Sequence, residues 1–201
     1  LGGLVLGSAA CWARAGLVPS PLADDAEFLR RVSLDLIGRV PTHGEAEHFL
    51  ADEDPDKRAR VVDDLLGGEA FAQQWAQRWS ARLLPGDRRA RRVATDPLES
   101  YLSSVLGQNH GWDQVVLELL GGEGWLEDSP QLAYLGARAL RGGTKQEALA
   151  ELSSTTARVF LGARIECAQC HDHPYVSEFS REDFWAQTAY FGRTVVSLER
   201  K

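Results

Sequence analysis

The sequence predicts an all-α protein: an irregular multi-helix bundle with a long glycine-rich connection and a CxxCH motif between its two C-terminal helices. Three observations carry that prediction. Apolar residues recur at helical spacing behind residues that cap helices. No stretch shows a sustained period-two run of β-branched residues. With 44% hydrophobic and 25% charged residues over 201 positions, the chain has the composition of a soluble globular protein and the length to bury a core.

The opening "LGGLVLGSAACW" is small and apolar without a basic flank, and it falls short of the ~20 residues a membrane crossing needs. Residues 1–18 are therefore set apart as an N-terminal segment, read as a surface or first core helix with the remnant of a targeting or anchoring region as the alternative. Cys11 is expected to be a small buried thiol. The absence of Met suggests a processed or trimmed part of something longer. Residues 19–201 form the helical domain.

"DDAEFLRRVSLDLIG" places Phe28, Leu29, Val32, Leu36 and Ile37 along one stripe, with acids in the first turn and Gly38 as stop. Arg30, Arg31, Asp35 and Arg39 are expected to tie this helix to the core through buried ion pairs. Thr42 and Glu45 form a capping box, and Asp54-Pro55 starts a helix that Gly67 and Gly68 end. Phe71, Trp75 and Trp79 recur every four residues, one helical face, and the tryptophans are read as core. "RRARR" (Arg88, Arg89, Arg91, Arg92) is read as a solvated loop, and a helix then opens at "DPLESYLSSVLGQN". "GWDQVVLELLGG" is the next helix. Residues 121–143, with six Gly and Pro130, form a long connection that contains a short helix near Leu132–Leu140 and divides the chain into two unequal parts. Beyond it, Thr144 and Glu147 box the start of "TKQEALAELSSTTARVFLG", and Ser180 caps "SREDFWAQTAYFG".

Between those last two helices lies "ECAQCHDHPY". A formal charge of −7 and a pI near 5.3 disfavour nucleic acid as the main partner, so chemistry is sought here. Cys167, Cys170 and His171 read C-x-x-C-H, which lets two sulfurs reach the vinyl groups of one haem while the imidazole falls beneath the iron as proximal ligand. Three Cys and five His in this length would give that pattern in about one shuffled chain in a thousand. The rival is zinc, held by Cys167 and Cys170 with His171 or His173, but a closed site needs a fourth ligand. A redox dithiol or a structural Cys/His staple is the third reading, against which the preceding element reads as helix rather than strand.

The residues "PSPLADDAEFLRRVSLDLIGRVPT", the Trp75/Trp79 helix, "NHGWDQVVLELL", "FLGARIECAQCHDHP" and "DFWAQTAYF" together resemble the planctomycete-type cytochrome c-like domain, PSCyt2 or DUF1549, from about Pro19 to Gly192. That resemblance implies an exported, mostly helical domain with one c-type haem, found in larger multidomain proteins beside cytochrome-like or carbohydrate-related modules. It implies no enzymatic activity.

Within the haem reading, this chain supplies no Met ligand. His110, in the "QNHGWD" turn, is the distal candidate, and an open or water-ligated iron is the other arrangement. His173 is expected to bond a propionate or the backbone. Asp172 is expected either to fix a ring tautomer or to cap a helix. His43 and His48 are read as surface residues. The expectation is therefore an extracytoplasmic (periplasmic or extracellular) c-type cytochrome-like subunit serving electron transfer or structure in a larger assembly. Its partners would be redox or membrane-associated subunits, and its N-terminal segment offers one route to a membrane. The alternative is a non-redox assembly subunit holding zinc or a structural cluster.

Overall fold

The computed structural model describes residues 11–18, 20–139 and 143–194. Among them the protein is all-helical, with no strand. Two compact units divide at Val62/Asp63, within a helix. Residues 1–10 of the opening segment lie outside the described residues.

In the first unit, residues 11–18 are exposed throughout. Cys11 is accordingly an exposed thiol and not the buried one expected, because among the described residues no apolar surface covers its helical turn. Helix α1, Asp25–Ile37, starts where the Asp24 carboxylate accepts the Glu27 amide and stops at Gly38, whose φ of 72° suits a residue without Cβ. It buries Leu29, Ser33 and Ile37. Helix α2, His43–Ala51, opens on the Thr42/Glu45 box with both reciprocal bonds formed. Phe49 is buried and stacks on Phe28 at 6.2 Å. Helix α3, Lys57–Gly67, closes the unit: Lys57 and Arg58 both pair with Asp25 while lying over the Phe49 and Phe28 rings. Lys57, then Arg58, holds the Asp25 carboxyl below its usual range.

The buried ion pairs expected of α1 do not form. Arg30 and Arg31 pair with Glu27 one turn back, Arg39 pairs with Glu45, and Asp35 is exposed. Local acids on the same solvent face satisfy these arginines without the cost of desolvation.

The second unit begins with α4, Glu69–Leu83, and α5, Arg88–Gly107, a hairpin of helices. In α4 the fully buried face is Ala72, Ala76, Ser80 and Leu83; Phe71, Trp75 and Trp79 flank it, half-buried. Small residues at the centre let the helices approach, and the rings cover the rim. Trp79 meets Trp112 at 4.5 Å. Trp12 and Trp125 are exposed, so the tryptophans are not uniformly core.

Helix α5 corrects the reading of "RRARR". Asp87 accepts the amides of Arg89 and Ala90, and the helix runs from Arg88 through Pro97 without a break. Ala90, Ala94, Leu98 and Leu102 recur every four residues and are all buried, so packing along this stripe outweighs the amide bond that Pro97 cannot make. Helix α6, Trp112–Gly121, buries Val115 and Leu119. The glycine-rich connection is not a boundary between units. Its 3₁₀ turn, Pro130–Leu132, leads into α7, Ala133–Ala139, which buries Tyr134 and Leu135 in the main core beside Leu98 and Leu102. The expected end of that short helix at Leu140 lies outside the described residues.

Helix α8, Lys145–Phe160, starts on the Thr144/Glu147 box. Its two sides serve two cores. Leu152 packs into the main one, while Ala150 and Ala157 meet Ile165, Ala168 and Phe184 in a second, smaller cluster. Helix α9, Arg181–Tyr190, supplies Phe184 and is opened by a box between Ser180 and Asp183.

Candidate functional site

The CxxCH segment lies between α8 and α9, and its geometry follows from what flanks it. Helix α8 ends at Phe160, and Gly162 turns the chain at φ 66°. The Ala163 amide returns to the Ala157 carbonyl, 3.1 Å away. Ile165 is then buried, and residues Glu166–Gln169 make a 3₁₀ turn. Such a turn repeats every three residues, so Ala168 faces inward, buried, while Cys167 and Cys170 face outward. The backbone N–H groups of Cys170 and His171 approach the Cys167 carbonyl at 3.4 and 3.5 Å. Both thiols and the His171 ring are therefore exposed on one short turn.

The segment is anchored by residues outside the motif's reactive set. Trp185 of α9 donates its indole N–H to the Gln169 carbonyl at 3.2 Å. Asp172 accepts the Arg181 amide at 2.8 Å, adding a carboxylate to the N-terminus of α9. This is the helix-capping role, one of the two expected of Asp172. Glu166 lies 3.8 Å from Arg158 of α8, a loose exposed pair.

The two histidines differ in state. His171 Nδ1 is 2.7 Å from the Asp172 carbonyl oxygen. A carbonyl only accepts, so the proton belongs on Nδ1 and the Nε2 lone pair is left for a metal. His173 has the opposite arrangement: its Nδ1 accepts the amides of Tyr175 and Val176 at 3.3 and 3.1 Å, which puts the proton of the neutral ring on Nε2. Its own amide donates to the Phe179 carbonyl at 2.8 Å, and its ring stands edge-on to Tyr175 and Phe179. His173 thus closes the loop 173–179 through the backbone and offers no free lone pair.

The donor set fits covalent haem: two accessible sulfurs three residues apart and one imidazole with its Nε2 free. For zinc, a closed site needs a fourth ligand beyond Cys167, Cys170 and His171, and the Nδ1 of His173 is engaged by backbone amides. His110 is exposed, following Asn109 at φ 52°, with its amide bonded to the Val105 carbonyl. Among the described residues no hydrogen bond or ion pair joins His110 to the motif. His43 pairs with Glu47 on the surface, and His48 is exposed.

Sequence reasoning missed Phe184 and Trp185 as the residues that hold the turn. The available signal was their place one turn into a helix opened by Ser180, on the side toward the motif.

No described helix is long and apolar enough to cross a membrane. No curated protein and no solved structure matches the chain. A family model matches residues 8–195, nearly the whole length, and by that match the chain belongs to the PSCyt2 family, described as a protein of unknown function (DUF1549).

Proposed function

We propose that this chain is an extracytoplasmic c-type cytochrome-like subunit that carries one covalent haem and serves electron transfer, or the structure of a larger redox assembly. One observation carries the reading: on a single anchored turn, two exposed thiols three residues apart precede an exposed imidazole whose Nδ1 is tied to a carbonyl. Cys167 and Cys170 would hold the group by adding their S–H bonds across its two vinyls, and His171 Nε2 would be the proximal ligand. When bound, haem supplies a one-electron couple. Asp172 fixes the orientation of the His171 ring through its backbone oxygen, and Trp185 and Phe184 fix the turn. Covalent attachment of this kind takes place outside the cytoplasm, which is the basis for the proposed location.

The test is the intact mass of the denatured chain from a host competent in haem attachment. The expected mass exceeds the bare 22.1 kDa by one haem; a bare mass refutes the reading. With no haem in the parent, equal loss of bound zinc in His171→Ala and His173→Ala would instead support the zinc alternative.

A further inference from the structure

We propose that the arginine-rich end of the α4–α5 hairpin is a docking surface for anionic phospholipid headgroups. This inference does not depend on the haem reading. Residues 78–92 contain six arginines, one aspartate and no lysine. Their formal charge is +5, which leaves −12 on the rest of a chain whose total is −7. Residues 78–92 are thus a locally basic stretch of an acidic chain, which an anionic surface would attract.

The fold gives these charges little to do. Arg88, Arg89 and Arg92 are exposed, and their side chains have no hydrogen bond or ion pair among the described residues. Arg78 and Arg82 lie only over the Trp75 and Trp79 rings. Arg91 alone is spent on structure, donating to the Pro85 and Ala81 carbonyls across the corner between the helices. Moreover, Arg88, Arg89 and Arg92 occupy the first turns of α5, where the positive end of the helix dipole disfavours cations. Selection for stability would place acids there, so their presence points to a role outside the fold.

The chemistry favours a lipid surface over a small anion or a shaped partner. Asp87 already occupies two of the free amides of the helix start, those of Arg89 and Ala90, so an anion would have to compete with it there. The arginines are spread over the last turns of α4 and the first turns of α5, on either side of the corner at residues 84–87, rather than gathered in one pocket. A plane of phosphates offers acceptors to such a spread of exposed guanidiniums, Arg88, Arg89 and Arg92 first among them. Val93, 43% exposed beside them, adds apolar contact at such a surface.

The experiment is flotation of the full chain with phosphatidylcholine vesicles, with and without phosphatidylglycerol. Binding is expected only with phosphatidylglycerol and should be lost at about 1 M salt. R88A/R89A/R92A should lower the partition coefficient roughly 100-fold, about fivefold per arginine. A control that removes three arginines elsewhere, R30A/R31A/R193A, should bind as the parent does. Circular dichroism of both variants should show a helical chain of undiminished stability, so lost binding is not lost folding. Four results would overturn the proposal: no phosphatidylglycerol-dependent binding, equal binding to neutral vesicles, equal loss in both variants, or capture by immobilised polyglutamate through the same arginines without vesicle binding. The last would assign the face to an acidic protein.

Discussion

Replacing Phe184 by Ala tests how the CxxCH turn is held. Phe184 is 1% exposed in a cluster of five buried residues, three of which are alanines. Ile165 and Phe184 are therefore its only large members, each worth about 1.5–3 kcal/mol when fully buried. Phe184→Ala loses that transfer energy and leaves a cavity that the three alanines cannot fill, with Ile165, Phe179 and Trp185 at its edge, which puts the local cost at about 3–5 kcal/mol. Helix α8 keeps its other side in the main core through Leu152, so the loss should fall on residues 161–190 as a local opening. Hydrogen exchange with peptide-level readout is the assay. The expected result is lost protection across the turn and α9, with α5 and α7 still protected and a global unfolding midpoint that moves by less than the local cost. If protection falls equally in α5, the two clusters form one cooperative unit and the reasoning fails.

Trp185→Phe retains a ring but removes the indole N–H that reaches the Gln169 carbonyl, and should cost about 1 kcal/mol in denaturant unfolding; no change would mean that this bond does not hold the turn. Pro97→Ala restores a donor inside α5 and should stabilise the chain by about 2 kcal/mol, the gain in helix propensity less the lost restriction of the unfolded chain. A lower denaturation midpoint would show that the proline is adapted to its place. The Glu45 carboxyl is held down to about 2 by the Arg39 guanidinium and then by the Thr42 amide, against an ordinary 4.5. A depressed carboxyl stabilises the fold fully above its unfolded value and loses that effect as pH falls from about 4.5 through about 2. Glu45→Gln should flatten this acid limb, and an unchanged limb in the variant would assign it to other groups.

The parts of the fold legible in the sequence were those decided within four residues. Thr42 with Glu45 and Thr144 with Glu147 are paired by local chain geometry alone, and both boxes form. Ser180 likewise caps α9. The start of α5 was obscured by composition: a run of arginines and an internal proline outweighed the better signal, Asp87 followed by Ala90, Ala94, Leu98 and Leu102. The partners of charged residues were illegible because choice in space decides them. Arg39 finds Glu45, which the capping box has already oriented, and no spacing rule anticipates a carboxylate that serves both. At the candidate site the reactive residues were legible from spacing, whereas the distinction between His171 and His173 rests on which backbone group each ring nitrogen meets.

The turn carrying Cys167, Cys170 and His171 is held by Ile165, Ala168, Asp172, His173, Phe184 and Trp185, so the residues able to react and the residues that shape the turn are different sets. Selection can therefore act on them separately. A lineage that lost one thiol would keep a folded chain with the loop in place, and a lineage that lost Phe184 would keep the whole motif in the sequence without the surface that presents it. The written motif alone is thus an incomplete record of competence, and the aromatic pair thirteen residues downstream of His171 is the part of the text to read beside it.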